Sequence, residues 1–177
     1  MTHTTTEQPE APDVSLLPSP SLSDFRLARI EPEQVEAAWP MIKQSLAGAL
    51  PVRTPEAEST FMAILASIQA RGMIAWVVRT QDQIYTVMTT VRRVDETSGH
   101  SFLMIYTLYA MPGLTMPLDV WVDSFKKLSV YARSLGCESV ILETRNEEVA
   151  HLAKRVCPTA DIETRVINMP LADIEED

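Results

Sequence analysis

Between residues 25 and 169 the apolar positions change period several times, and each change predicts an element. Phe25–Ile30 (FRLARI) alternates loosely and reads as a short first strand. Val35, Trp39, Ile42 and Leu46 then recur at helical spacing, behind a Pro32 that suits a helix's first turn. Pro40 falls inside that pattern. It lacks an amide donor and crowds the preceding turn, so either a kink or two short helices in series are expected. Gly48 and Pro51 close the run. A second helix follows, with Thr54 as cap, Pro55 at its first position, and Glu56 and Glu58 near its positive end. Its apolar face carries Phe61, Ile64, Leu65 and Ile68, and Gly72 is the expected stop.

From Met73 the period drops to two. MIAWVV (73–78), IYTVMTTVRRV (84–94) and SFLMIYTLYA (101–110) read as three strands joined by the turns TQDQ and DETSGH. Short turns between successive strands predict an antiparallel meander. After the loop MPGLTMP (111–117), Trp121, Phe125, Leu128, Ala132 and Leu135 make a helical stripe that Gly136 ends. CESVILET (137–144) is a further strand. Asn146 caps a short helix with Val149, Leu152, Ala153 and Val156 facing inward, and Ile162–Met169 is a last strand.

The flanks differ from this core. Residues 1–24 hold four prolines and many Ser and Thr, with Val14, Leu16 and Leu17 as the one strongly apolar piece. Such a segment cannot bury enough surface to fold alone, so an extended arm is expected. Residues 172–177 are an acidic tail, and 25–171 form a single domain, the size that 177 residues allow.

Charge narrows the partners. The net charge is -9, and no long basic run exists. Binding to nucleic acid or to an anionic membrane is therefore not expected. Arg71, Arg79, Arg92 and Arg93 could at most form a small basic cluster around the meander. No leader peptide or membrane-spanning run is apparent, so a cytoplasmic location is expected. Cys137 and Cys157 are expected as reduced, half-buried thiols. His3, His100 and His151 lack ligand spacing, so no metal site is expected.

The element order is strand, one or two helices, three meandering strands, long helix, strand, helix and strand. It predicts an α/β (α+β) fold with a mixed, mainly antiparallel sheet and helices on both faces. Over about residues 24–171 this order resembles the GNAT-type N-acyltransferases. Asp119–Thr144, with Ala132-x-x-x-Gly136, is similar to that family's central helix and next strand. Asn146-x-x-Val149-x-x-Leu152 is similar to its following helix. The resemblance implies acetyl-CoA as acyl donor, its pyrophosphate held by a basic, Gly-rich loop and a helix N-terminus. Backbone amides can hold phosphate where glycines let the chain approach.

The corresponding loop here departs from that pattern. It has one glycine and no Lys or Arg, two prolines remove amide donors, and Asp119 opens the helix. Where the family carries a tyrosine acid, this chain has Ala153. The departures favour a non-catalytic protein-binding or assembly role without a cofactor. Val14, Leu16 and Leu17 would then anchor a protein partner or a second copy of the chain. The organisation also resembles small proteins of tailed bacteriophages, which implies a virion component. The alternative is an N-acyltransferase with an atypical acetyl-CoA site. Gly113, Leu114 and Thr115 would then bind the donor, with Glu143 and Tyr109 as candidate catalytic groups.

Overall fold

The computed structural model describes residues 20–50, 56–144 and 146–160. The expectations for Val14, Leu16 and Leu17, for Thr54 and Pro55, for the last strand and for the acidic tail fall outside these residues.

Among the described residues, nine strands and α-helices follow one another. They are β1 (Arg26–Ile30), α1 (Val35–Ala49), α2 (Glu56–Gln69), β2 (Met73–Arg79), β3 (Ile84–Val94), β4 (Ser101–Ala110), α3 (Leu118–Ser134), β5 (Ser139–Leu142) and α4 (Glu147–Val156). The strands form one sheet in sequential order, β1-β2-β3-β4-β5. β1 to β4 pair antiparallel, and β5 pairs parallel to β4. The parallel pair needs a long crossover, which α3 supplies. This is the mixed sheet that the sequence predicts.

Alternation along the strands sends side chains to two cores. On one face Trp76, Val78, Met88, Leu103 and Ile105 pack against Phe125, Leu128 and Ala132 of α3 and Leu152 of α4. On the other, Ala75, Val77, Val87 and Val91 meet Ile42 and Leu46 of α1 and Phe61, Ile64 and Ile68 of α2. The helical stripes read from the sequence are these contact faces. Trp76 is buried and donates its indole N–H to Thr90 Oγ1 at 2.9 Å, which ties β2 to β3.

Three details answer open points in the sequence. Pro40 lies within one continuous helix, α1, so the pattern is not split in two. The turn that ends α2 is closed by Gly72 N–H donating to Ser67 O at 2.9 Å, but the residue with positive φ is Arg71, at +61°. The chain thus reverses through a non-glycine residue at the site where Gly72 was the expected stop. The four arginines do not cluster, because Arg71 and Arg79 lie at opposite ends of β2.

Thr86 is fully buried on β3, and its Oγ1 has no hydrogen-bond partner among the described residues. An unmet buried hydroxyl costs free energy that valine, of similar shape, would not. Thr86→Val is expected to stabilise the protein by about 1 kcal/mol, raising Tm by roughly 2–4 °C. A chemical-denaturation curve measures this, and a fall in stability would show that the hydroxyl is satisfied.

Candidate active site

The β4–β5 pair is closed at one end and open at the other. At the closed end, Glu138 N–H donates to Ser101 O at 2.8 Å. His100 Nε2 lies 2.8 Å from Ser139 Oγ, and its Nδ1 is 3.3 Å from the Glu138 carboxylate. In the turn before it, Asp95 Oδ1 accepts from Ser98 N–H at 2.7 Å and from Thr97 N–H at 3.1 Å. These bonds hold the Asp95 carboxyl below its usual range, the backbone bond from Ser98 first among them.

From this clasp the strands pair in register from Phe102↔Ser139 to Ile105↔Leu142. There β5 ends, while β4 runs on through Tyr106 to Ala110. On its other side β4 changes register at the same point. Thr90 pairs with Ile105 and Thr89 with Thr107, so Tyr106 is an extra, bulged residue. A bulge bends its strand and leaves the ladder locally unpaired. Beyond it, Thr89 Oγ1 and Thr107 Oγ1 lie 2.8 Å apart and lock β4 back onto β3. Tyr106–Ala110 therefore keeps its β3 edge paired and, among the described residues, has no strand on the β5 edge.

The loop after β4 leads to a helix start with unspent donors. Met111 N–H continues the ladder to Tyr85 O at 2.8 Å, and Leu114 N–H turns back to Met111 O at 3.3 Å. Gly113 takes φ +76°, the left-handed turn conformation that favours glycine. Met111 packs towards the α1/α2 core and Met116 into the α3 core, so the two side chains leave the loop in opposite directions. α3 has Pro117 at its cap and no side-chain cap, and Val120 and Trp121 N–H both reach Pro117 O. The amides of Gly113, Thr115, Met116, Leu118 and Asp119 have no acceptor among the described residues. Unpaired amides at a helix's positive end fit an anion. No cation of this loop adds to them, and the exposed Asp119 carboxylate would repel such an anion.

The candidate side chains fall on both sides of the opening. Glu143 is exposed and is the first residue past β5. Tyr109 is half-buried near the end of β4, and its ring lies over Gly48 in the last turn of α1. Tyr106 packs at the margin of the same α1/α2 core. Ala153 is half-buried in α4. Gly113 and Thr115 are exposed and Leu114 half-buried, all within the donor-rich loop. The bulge at Tyr106 was missed from sequence, because a register shift is a property of two strands and no local residue signals it. Cys137 is buried, whereas Cys157 is exposed at the end of α4. Among the described residues no group of side chains could hold a metal ion, and no helix is long and apolar enough to cross a membrane.

No protein-family model matches the chain. No curated protein matches it either. Solved structures do. An aminoglycoside acetyltransferase from an uncultured soil metagenomic sample, in complex with trehalose, superposes with a TM-score of 0.64 at 12% identity, over 84% of this chain and 97% of that one. A predicted acetyltransferase with acetyl-CoA from Clostridium acetobutylicum gives 0.63 at 9% identity, over 86% and 99%. Glucosamine-6-phosphate N-acetyltransferase from Arabidopsis thaliana gives 0.57 at 13% identity, over 82% and 97%.

At these identities the likeness establishes the fold, and the chain has the GNAT-type acetyltransferase fold. The expectation of a non-catalytic assembly role is corrected here. The neighbours in fold are acetyltransferases, one of them solved with acetyl-CoA, and none of this supports a bacteriophage, virion or structural protein. That expectation rested on the missing basic residues of the loop. The free amides do not depend on those residues.

Proposed function

We propose that the protein is an N-acyltransferase that takes its acyl group from acetyl-CoA. The observation that carries this reading is a coincidence at one point of β4. The Tyr106 bulge and the end of β5 pairing meet there, and the open edge runs on through Ala110 to a loop of free amides leading to α3. The fold neighbours support it, since their named activities are acetyl transfers.

When bound, acetyl-CoA supplies an acyl group activated as a thioester. The amides of Gly113, Thr115, Met116, Leu118 and Asp119 hold its phosphates, in place of the absent arginines. The open edge of Tyr106–Ala110 offers backbone donors and acceptors to its amide-bearing arm, as a sheet edge does to an added strand. The Glu143 carboxylate accepts the proton that the incoming amine must lose. The Tyr109 phenol donates a proton on the leaving side and regains it from water. The low charge of the loop makes donor binding depend on hydrogen bonds more than on ion pairs.

Calorimetric titration with acetyl-CoA, combined with thiol release in the presence of a primary amine, tests this. Saturable micromolar binding is expected, with release that requires the amine. No binding at millimolar donor would overturn the reading.

A further inference from the structure

We propose that Ser139 is a nucleophile towards small activated acyl esters, with His100 as its base and Glu138 as the residue that positions the base. This second centre stands at the closed end of the sheet and does not rest on the acetyl-CoA reading. Ser139 pairs with Phe102, which lies four residues before the Tyr106 bulge, or roughly 13 Å along β4.

A serine hydroxyl is a weak nucleophile until a base takes its proton. Ser139 Oγ lies 2.8 Å from His100 Nε2 and has no other partner among the described residues. On the far side of the imidazole, Nδ1 is 3.3 Å from a Glu138 carboxylate oxygen. An ionised carboxylate accepts hydrogen bonds and donates none. In the neutral ring the proton therefore belongs on Nδ1, and the lone pair of Nε2 faces the Ser139 hydroxyl. That is the tautomer a general base needs. The order of nucleophile, imidazole and carboxylate is recognised by geometry, whatever the positions in the chain. The other carboxylate near this ring, Asp95, is taken up by the amides of Ser98 and Thr97 at 2.7 and 3.1 Å, so Glu138 is left to set the tautomer.

The parts are held in place and remain accessible. His100 stacks on Phe102, with ring centroids 6.1 Å apart and planes 23° from parallel. Its backbone closes the hairpin, His100 O accepting from Asp95 N–H at 2.8 Å. Ser139 opens β5, and the bond from Glu138 N–H to Ser101 O fixes the chain just before it. His100 keeps 36% of its side chain exposed and Glu138 65%, so a small ester can reach the centre. In the proposed step Ser139 Oγ attacks the ester carbonyl carbon while His100 Nε2 takes the hydroxyl proton. The bond to the leaving oxygen breaks, and His100 passes the proton to that oxygen. A water molecule, deprotonated in turn by His100, then cleaves the acyl ester and restores the hydroxyl. Ester and water become acid and alcohol. Base assistance of this kind contributes about 100-fold or more. With that as the main contribution a good leaving group is required, which selects phenyl and similar activated esters.

The probe is p-nitrophenyl acetate, at about pH 8, where imidazole is neutral. A burst of nitrophenol is expected, with an acetyl group on Ser139 in peptide mass spectra. Ser139→Ala should abolish both, and His100→Gln should slow the burst by about 100-fold. Acetylation of lysines alone, or a burst that survives in Ser139→Ala, would overturn the proposal. A second readout needs no variant. In nitrogen-15 spectra of the unaltered protein, the neutral His100 ring should carry its proton on Nδ1. A proton on Nε2 would mean that Ser139 accepts from the ring, and no base would face the hydroxyl. Glu138→Ala should lose the Nδ1 preference and slow the burst by about tenfold, with Tm little changed, since exposed ion pairs add little stability. An unchanged tautomer and rate in that variant would overturn the role of Glu138.

Discussion

Gly48→Ala should lower acyl transfer by about 100-fold while leaving the protein folded. The Gly48 α-carbon faces the ring of Tyr109, and a β-carbon there would lie 2.7 Å from Cδ2 and Cζ and closer still to Cε2. Carbon atoms in ordinary contact sit about 3.5–4.0 Å apart, so the ring has to move. The ring sits at the end of β4, beside the opening that the proposed reaction uses. The helix itself favours alanine over glycine by about 1 kcal/mol, which offsets part of the crowding. Activity and stability should therefore separate. Tyr109→Phe removes the phenol without crowding, so it should lose a similar factor. The double variant should then be no worse than either single one, because both changes act on one group. Steady-state kinetics with thermal melts on the three variants measures this. Full activity in Gly48→Ala would remove Tyr109 from the mechanism.

Asp119→Asn should tighten acetyl-CoA binding by about tenfold at low salt. Asp119 is in the first turn of α3, and its own amide is one of the free donors there. Its carboxylate favours the helix's positive end, by about 0.3–1 kcal/mol. The same charge opposes any phosphate that approaches those amides. Neutralising it should therefore raise donor affinity and slightly lower Tm, two changes of opposite sign. Calorimetry at two salt concentrations and a thermal melt would show both. Weaker binding together with a lower Tm would mean that the phosphates lie elsewhere.

The secondary structure was legible wherever one period ran long enough. The three meander strands appear at 73–79, 84–94 and 101–110, within a residue of their expected bounds. They were legible as long apolar, β-branched runs bounded by turns, because the sheet packs helices on both faces. The stripe of α3 and the Asn146 cap also stand as read, with Asn146 Oδ1 accepting from Glu148 N–H at 2.9 Å. At β5 the sequence pattern runs to Thr144, but the strand stops at Leu142. Residue preference sets where a strand can extend, and its neighbour decides where it stops pairing.

The site was legible in part. Tyr109 and Glu143 do fall beside the opening, and Gly113 does supply a left-handed turn. The loop's free amides were not legible, because lysine and arginine are visible in a sequence and an amide's hydrogen-bond partner is not. His100 and Ser139 lie 39 positions apart, and only the β4–β5 register brings them together. Arg71 shows the converse, since Gly72 was the expected stop and the left-handed residue is its neighbour.

By itself, then, the sequence determined the elements, their order and their buried faces, because hydrophobic periodicity is local and each element must bury its own stripe. Tertiary structure decided the bulge at Tyr106, the parting of β5 from β4, the seat of Tyr109 on Gly48 and the meeting of His100 with Ser139. Each depends on how two distant segments align, and register is set by packing between them.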